Sequence, residues 1–230
     1  MSLAVALVPS NQDRNLGAIP GYSEAGGCAI IASKVEQLLA DRHTLVRVYT
    51  APLESQDDSR HTKLAATMRE ARQWLDTMHE DGRGYTPVAV HIHTNAGSTP
   101  QAGTSHTGYC YGSPEGAALG KVLANRVSAV LGLPVVAYDY TGLGYLFNTL
   151  FAPLPSALIE ITRHDRRADL ERLYASVDAV AAAVVSGILA WAGESAAPSP
   201  PDDLATLRAR NQALEAALRQ CRDALAAVGF

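Results

Sequence analysis

A three-layer α/β domain, its mixed, mostly parallel sheet flanked by helices and followed by a C-terminal heptad-repeat helix, is the fold this sequence predicts. Short apolar runs of strand length, such as residues 3–8 and 87–93, alternate with longer segments of helical periodicity, the order that lays helices on both faces of a sheet. A chain of 230 residues suits one such domain with an appendage. The appendage shows as Leu204, Leu207, Asn211, Leu214, Leu218, Cys221, Leu225 and Val228, spaced in alternating steps of three and four, with Asn211 at a core position where coiled coils fix their register.

Residues 3–8 are the first strand, and the Asn-, Gln-, Gly- and Pro-rich stretch 9–27 is a loop at the sheet edge. Ser23 caps a helix to about residue 39, with Ile30, Val35 and Leu38 on its inward face. Residues 44–50 form a strand, 64–78 a helix, and 87–93 the next strand. A Gly-rich segment then runs through Gly108, Tyr109 and Tyr111 into a helix over 114–130. Two short strands over 134–138 and 157–161 precede a long helix over 169–191, read as buried against the sheet. The Pro/Ser-rich segment 195–203 is a linker, because its prolines oppose both helix and sheet. The domains are therefore 1–194, the linker, and 204–230, which forms a homodimeric coiled coil or docks on its own domain.

Net charge is −4, with 19 basic and 23 acidic residues intermixed, so no basic stripe tracks phosphates and nucleic acid is excluded as the main partner. Three cysteines, Cys28, Cys110 and Cys221, fit neither a zinc knuckle nor a disulfide framework. The opening MSLAVALVPS lacks the basic start of a secretion signal and reads as a strand. No uninterrupted apolar run reaches membrane-spanning length. The expected localisation is cytoplasmic synthesis.

The chemistry concentrates in VAVHIHTNAG, residues 88–97. Strand alternation puts His91 and His93 on one face, where they are either a metal-binding pair or two polar residues satisfied at a strand end. Thr94, Asn95 and Gly97 let the chain turn closely around His93. Glu24 opens the first helix and can add a carboxylate oxygen or simply favour the helix start. Glu160 sits near the C-terminus of a strand, a common place for chemistry in α/β domains; it either takes a proton from a metal-bound water or pairs with Arg163 or Arg166. Tyr109, Tyr111, Tyr138 and Tyr140 either offer flat contact area to a ligand or simply pack their rings beside the sheet and wet their hydroxyls.

Together the first strand and loop with Glu24, the strand ending HIHTNAG, and PSALIEITRHD resemble the zinc-dependent N-acetylmuramoyl-L-alanine amidases, cell-wall hydrolases and phage endolysins. The resemblance implies zinc held by His93 and Glu24, with Glu160 as the catalytic base. It also implies cleavage of the amide between N-acetylmuramic acid and L-alanine in peptidoglycan. Where the family carries a first histidine motif this chain has Pro9-Ser10-Asn11-Gln12, which resembles a divergent branch and makes Gln12 the third metal donor. Asn11, His91 and His164 remain open for that position, and His164 is alternatively a substrate contact or oxyanion stabiliser. The competing expectation is a catalytically weakened amidase-like protein that binds peptidoglycan or soluble muropeptides; a metallohydrolase of another amide is a third.

Overall fold

The computed structural model of the protein describes residues 2–40, 42, 44–54, 62–81, 84–96, 104–111, 113–138 and 150–193. The chain divides into two compact units, Met1–Glu194 and Ser195–Phe230. Every element described below belongs to the first. The linker, the heptad seam of 204–230, Gly97 and Tyr140 lie outside the described residues.

In chain order the elements are β1 (Ser2–Pro9), α1 (Glu24–Ala40), β2 (Leu45–Val48), α2 (Thr62–Glu80), β3 (Tyr85–Asn95), β4 (Thr107–Tyr111), α3 (Pro114–Leu131), β5 (Val135–Ala137), β6 (Ser156–Arg163) and α4 (Arg167–Trp191). They build a six-stranded sheet of order β2-β1-β3-β6-β4-β5. All neighbours are parallel except β4 and β6. This is the expected three-layer α/β domain with a mixed, mostly parallel sheet.

β1 shows why the layers form. Its alternate residues Leu3, Val5 and Leu7 face one core with Val90, Ile92 and Ile159, under α1, α3 and α4. Ala4, Ala6 and Val8 face a second core, where α2 packs Leu64, Met68 and Leu75 beside Phe151. A strand buried on both faces reads as a continuous apolar run, as residues 3–8 do. The small alanines on one face leave room for the bulkier side chains of α2. By length and composition α4 is able to cross a membrane, but half of that stretch is buried inside the domain, with Leu170, Leu173, Val180, Val184 and Ile188 in the first core.

Two sequence expectations change. Ser23 caps α1 as anticipated, its Oγ accepting from the Gly26 amide at 3.2 Å. Val35 is buried, but Ile30 is 53% and Leu38 38% exposed, and Ile31 and Leu39 take the inward positions. In addition, residues 107–111 are not part of a connecting segment: they form β4, paired antiparallel with β6, a strand some fifty residues later in the chain.

Candidate functional site

β2 and β3 lie on either side of β1, and α1 and α2 cover opposite faces. Where successive strands leave in opposite directions, a crevice opens beyond the carboxyl ends of the strands. The loop after β1 lines it. The Ser10 amide donates to the Ile92 carbonyl at 2.9 Å, and Asn11 ties the loop to the segment after β2, donating from Nδ2 to the Pro52 carbonyl at 2.9 Å and accepting from the Glu54 amide at 3.0 Å. The chain then doubles back through a bridge between Leu16 and Ser23. This places Asn15 against the start of α1, where its carbonyl accepts from the Glu24 amide at 2.9 Å.

Glu24 and His93 meet there. His93 Nδ1 donates to Glu24 Oε1 at 3.0 Å, and each side chain is 2% exposed. The other carboxylate oxygen accepts from Asn15 Nδ2 at 2.8 Å, and the same amide bonds to Gln12 Oε1. Burial opposes ionisation of Glu24, but the His93 hydrogen bond and charge, followed by the Asn15 bond, hold its carboxyl below the ordinary value. For His93, burial pulls the other way, and the Glu24 bond with the charges of Glu24 and Glu160 carry it above the ordinary value. The two form an ion pair in the protein interior, with the amides of Asn15 and Gln12 completing it.

Thr94 and His164 back this pair. His164 Nδ1 lies 2.9 Å from Thr94 Oγ1 and 3.1 Å from the Thr94 carbonyl, while its backbone amide donates to the Asn95 carbonyl at 2.8 Å. Thr94 Oγ1 also bonds the Tyr22 hydroxyl at 2.9 Å. The hydroxyl end of the Tyr22 ring abuts Gly27 of α1, where a Cβ would collide with it, and the ring stacks on His164 at 6.0 Å between centroids. Burial holds the His164 imidazole below its ordinary value. His91 sits deeper: Nε2 bonds Ser156 Oγ at 3.2 Å, the Phe151 ring packs edge-on at 5.0 Å, and burial keeps the imidazole neutral.

Glu160 is set by register. It pairs with His93 across β3 and β6 and with Gly108 across β6 and β4, so His93, Glu160 and Gly108 form one row across the sheet. Beyond that row the pairing shifts, and Asn95 lies opposite Arg163. Gly108 has a packing reason: the Cε2 edge of the Tyr138 ring abuts it, and a Cβ there would collide with that edge. The Tyr138 hydroxyl reaches Asn95 Nδ2 at 2.8 Å and also bonds His106 Nε2, whose Nδ1 is 2.9 Å from the Thr104 carbonyl. Burial lifts the Cys110 thiol to about 12 and the Cys28 thiol well above its ordinary value, so neither is a thiolate nucleophile near neutral pH.

The structure thus gathers Gln12, Glu24 and His93 into one hydrogen-bonded chain, with Glu160 and His164 next to it. Sequence reasoning missed Asn15, which joins Gln12 to Glu24, and His106, which holds Tyr138. The zinc expected from the resemblance is not supported. Among the described residues no group of three or more His, Cys, Asp or Glu side chains is arranged to hold a metal ion. The physical reason is the donor geometry. His93 Nδ1 points at Glu24 rather than sharing a third centre with it, the first histidine motif is replaced by a Gln12 amide bonded to Asn15, His91 turns to Ser156, and His164 turns its Nδ1 to Thr94.

These features define an α/β domain with a polar crevice at the carboxyl edge of its sheet, closed by hydrogen bonds. Solved structures share that fold. One is the catalytic domain of CwlV, an N-acetylmuramoyl-L-alanine amidase from Bacillus (Paenibacillus) polymyxa var. colistinus, with a TM-score of 0.62, 14% identity, and coverage of 83% of this chain and 98% of that one. The amidase AmiC2 of Nostoc punctiforme gives 0.60 at 19% identity, over 84% and 98%. The catalytic domain of the CD27L endolysin, which targets Clostridia difficile, gives 0.59 at 15% identity, over 83% and 97%. No protein-family model and no curated protein sequence matches the chain. The chain therefore has the fold of N-acetylmuramoyl-L-alanine amidases.

Proposed function

We propose that this chain is a catalytically weakened amidase-fold protein that binds peptidoglycan fragments at the carboxyl edge of its sheet. The fold it shares with amidases supports the ligand class. One observation carries the rest: Glu24 and His93 satisfy each other at 3.0 Å, with Asn15 and Gln12 completing the pair, where the resemblance expects a metal centre. An ion pair buried this deeply resists being opened for another role, because each partner would be left as an uncompensated charge. Glu160, next in the row, then serves as a hydrogen-bond acceptor for ligand N–H groups, and His164 steadies the end of β3 through Thr94. Homodimerisation through residues 204–230 belongs to the same reading, since two linked sites bind a repetitive polymer more tightly than one.

The test is a calorimetric titration of N-acetylmuramoyl-L-alanyl-D-isoglutamine, followed by chromatography of the same samples. Saturable binding with the ligand recovered intact is expected. Progressive release of the dipeptide with a free L-alanine amine would overturn the reading in favour of hydrolysis, and the absence of binding would remove it altogether.

A further inference from the structure

One segment at the crevice is held by polar bonds alone. Residues 12–16 run between two anchors: Asn11, bonded to the Pro52 carbonyl and the Glu54 amide, and Ala18, whose amide donates to the His164 carbonyl at 2.8 Å. Gly17 adjoins the second anchor, packed so closely on Leu170 and Tyr22 that a Cβ would collide with both. Between the anchors nothing enters either core. The one large apolar side chain of the segment, Leu16, is 72% exposed, Asp13 and Arg14 are exposed, and Gln12 and Asn15 are half-buried.

Among the described residues, every hydrogen bond this segment makes outside itself goes to its own two flanks. The amides of Gln12 and Asp13 donate to Ser10 Oγ and to the Asn11 carbonyl. On the far side, Ser23 Oγ donates to Asp13 Oδ1 at 2.8 Å, the Glu24 amide donates to the Asn15 carbonyl at 2.9 Å, and Asn15 Nδ2 donates to Glu24 Oε2 at 2.8 Å. A stretch without buried apolar surface, tied down by a few bonds near the surface, opens locally at low free energy. Breaking the three bonds to Ser23 and Glu24 frees it from α1 and leaves both cores intact. The ion pair also stays made, because His93 holds the other carboxylate oxygen, Glu24 Oε1.

What Asn15 presents to Glu24 is an amide N–H, the same donor that a peptide offers. We propose that residues 12–16 are a flap that swings about Asn11 and Gly17, with Asn15 as its latch: closed, the Asn15 amide occupies Glu24 Oε2, and open, that oxygen takes an amide N–H of the ligand instead. The exchange replaces one amide by another on the same carboxylate oxygen, so no buried charge is left without a partner. Latch and ligand compete, and the observed affinity is the intrinsic one reduced by the fraction of molecules that are open. The ligand's part in this rests on the functional reading given above; the opening of the flap does not.

Hydrogen exchange tests the flap. In the free protein the Glu24 amide, bonded to the Asn15 carbonyl, should exchange about 10-fold or more faster, relative to its intrinsic rate, than the Ser10 and Ala18 amides at the anchors. Asn15→Ala should speed it about a further 10-fold, and Arg14→Ala, a change on the exposed side of the flap, should not. Equal protection at Glu24, Ser10 and Ala18 would overturn the flap, and a Glu24 amide indifferent to Asn15→Ala would overturn the latch. Calorimetric titration with N-acetylmuramoyl-L-alanyl-D-isoglutamine tests the competition. Asn15→Ala should bind about 10-fold more tightly than wild type, the opposite sign from that of a residue that contacts the ligand. Unchanged or weaker binding by folded Asn15→Ala would overturn the competition. If neither protein binds, the functional reading falls and the ligand's part here falls with it, while the flap stands or falls on the exchange alone.

Discussion

The crevice has two flanks built on the same mechanical plan and different electrostatics. On one, Tyr22 abuts Gly27 and reaches Thr94, behind the ion pair of Glu24 and His93. On the other, the edge of Tyr138 abuts Gly108 and its hydroxyl reaches Asn95 and His106, all neutral groups. A ring seated on a glycine positions a hydroxyl in both cases. The charged flank is costly to break, because a buried ion that loses its partner keeps its desolvation penalty, whereas a neutral flank loses one net hydrogen bond. This difference makes the charged flank of the crevice the harder of the two to open.

The sharpest way to break the comparison is Glu24→Ala, which takes the carboxylate from the His93 imidazole and leaves the Asn15 amide with Gln12 alone. A loss of about 3–5 kcal/mol in urea denaturation at pH 5.5 is expected; a loss under about 1 kcal/mol would mean the charged flank is no more rigid than the neutral one. Next comes Gly108→Ala. Its Cβ would displace the Tyr138 ring, with an expected cost of about 1–3 kcal/mol, and most of that cost should vanish in a Tyr138→Ala background. If it persists there, the glycine serves the backbone of β4 rather than the ring.

The flanks should also differ in pH response. Glu24 is held below 4.5, so the stability it adds is complete above that value and is lost as pH falls through its lower folded value. His93 is held above 6.5, so its contribution is complete below 6.5 and is lost as pH rises through its higher folded value. The stability difference between wild type and Glu24→Gln should therefore peak between about pH 4.5 and 6.5. His91, kept neutral by burial, loses stability on acidification in both proteins alike and cancels. A difference that is flat with pH would show that the pair is neutral. Tyr138→Phe is the mildest of the internal changes, with an expected cost of about 1 kcal/mol and no such maximum. Removing residues 201–230 should leave the melting curve of the first unit almost unchanged while the mass in solution falls from two chains to one; a full-length monomer would end the dimer proposal.

What the sequence disclosed depended on how far apart the cooperating residues lie. Ser23 and the α1 it caps were legible because capping acts over three residues. The orientation of α1 was half legible: Ile30-Ile31 and Leu38-Leu39 are adjacent apolar pairs, and only the packing chooses the second of each for the core. β4 was missed because five residues containing Gly108 carry little pattern, and their partner strand is distant in the chain. In the site, Glu24, His93 and Glu160 stood out by chemistry and by resemblance. Their neighbours did not. Asn15 gains its role only when the loop after β1 doubles back, and His106 only when β4 carries it beside Tyr138. The expectation of zinc failed for the same reason, since residue types announced donors and only their directions, fixed by Asn15, Ser156 and Thr94, decided what they bind.

The two ring-on-glycine seats have a consequence for how this protein can change over evolutionary time. At residues 27 and 108 any side chain is excluded while residues 22 and 138 are tyrosine, whatever the local preference for helix or strand. Each seat ties two positions of the chain into one heritable unit: the glycine is free to drift only after the ring has gone, and the ring can arise only where the glycine already stands. Among descendants of this chain loss of the ring should therefore precede loss of the glycine at each seat, and a lineage that keeps Gly108 after losing Tyr138 would mark a recent and still reversible step.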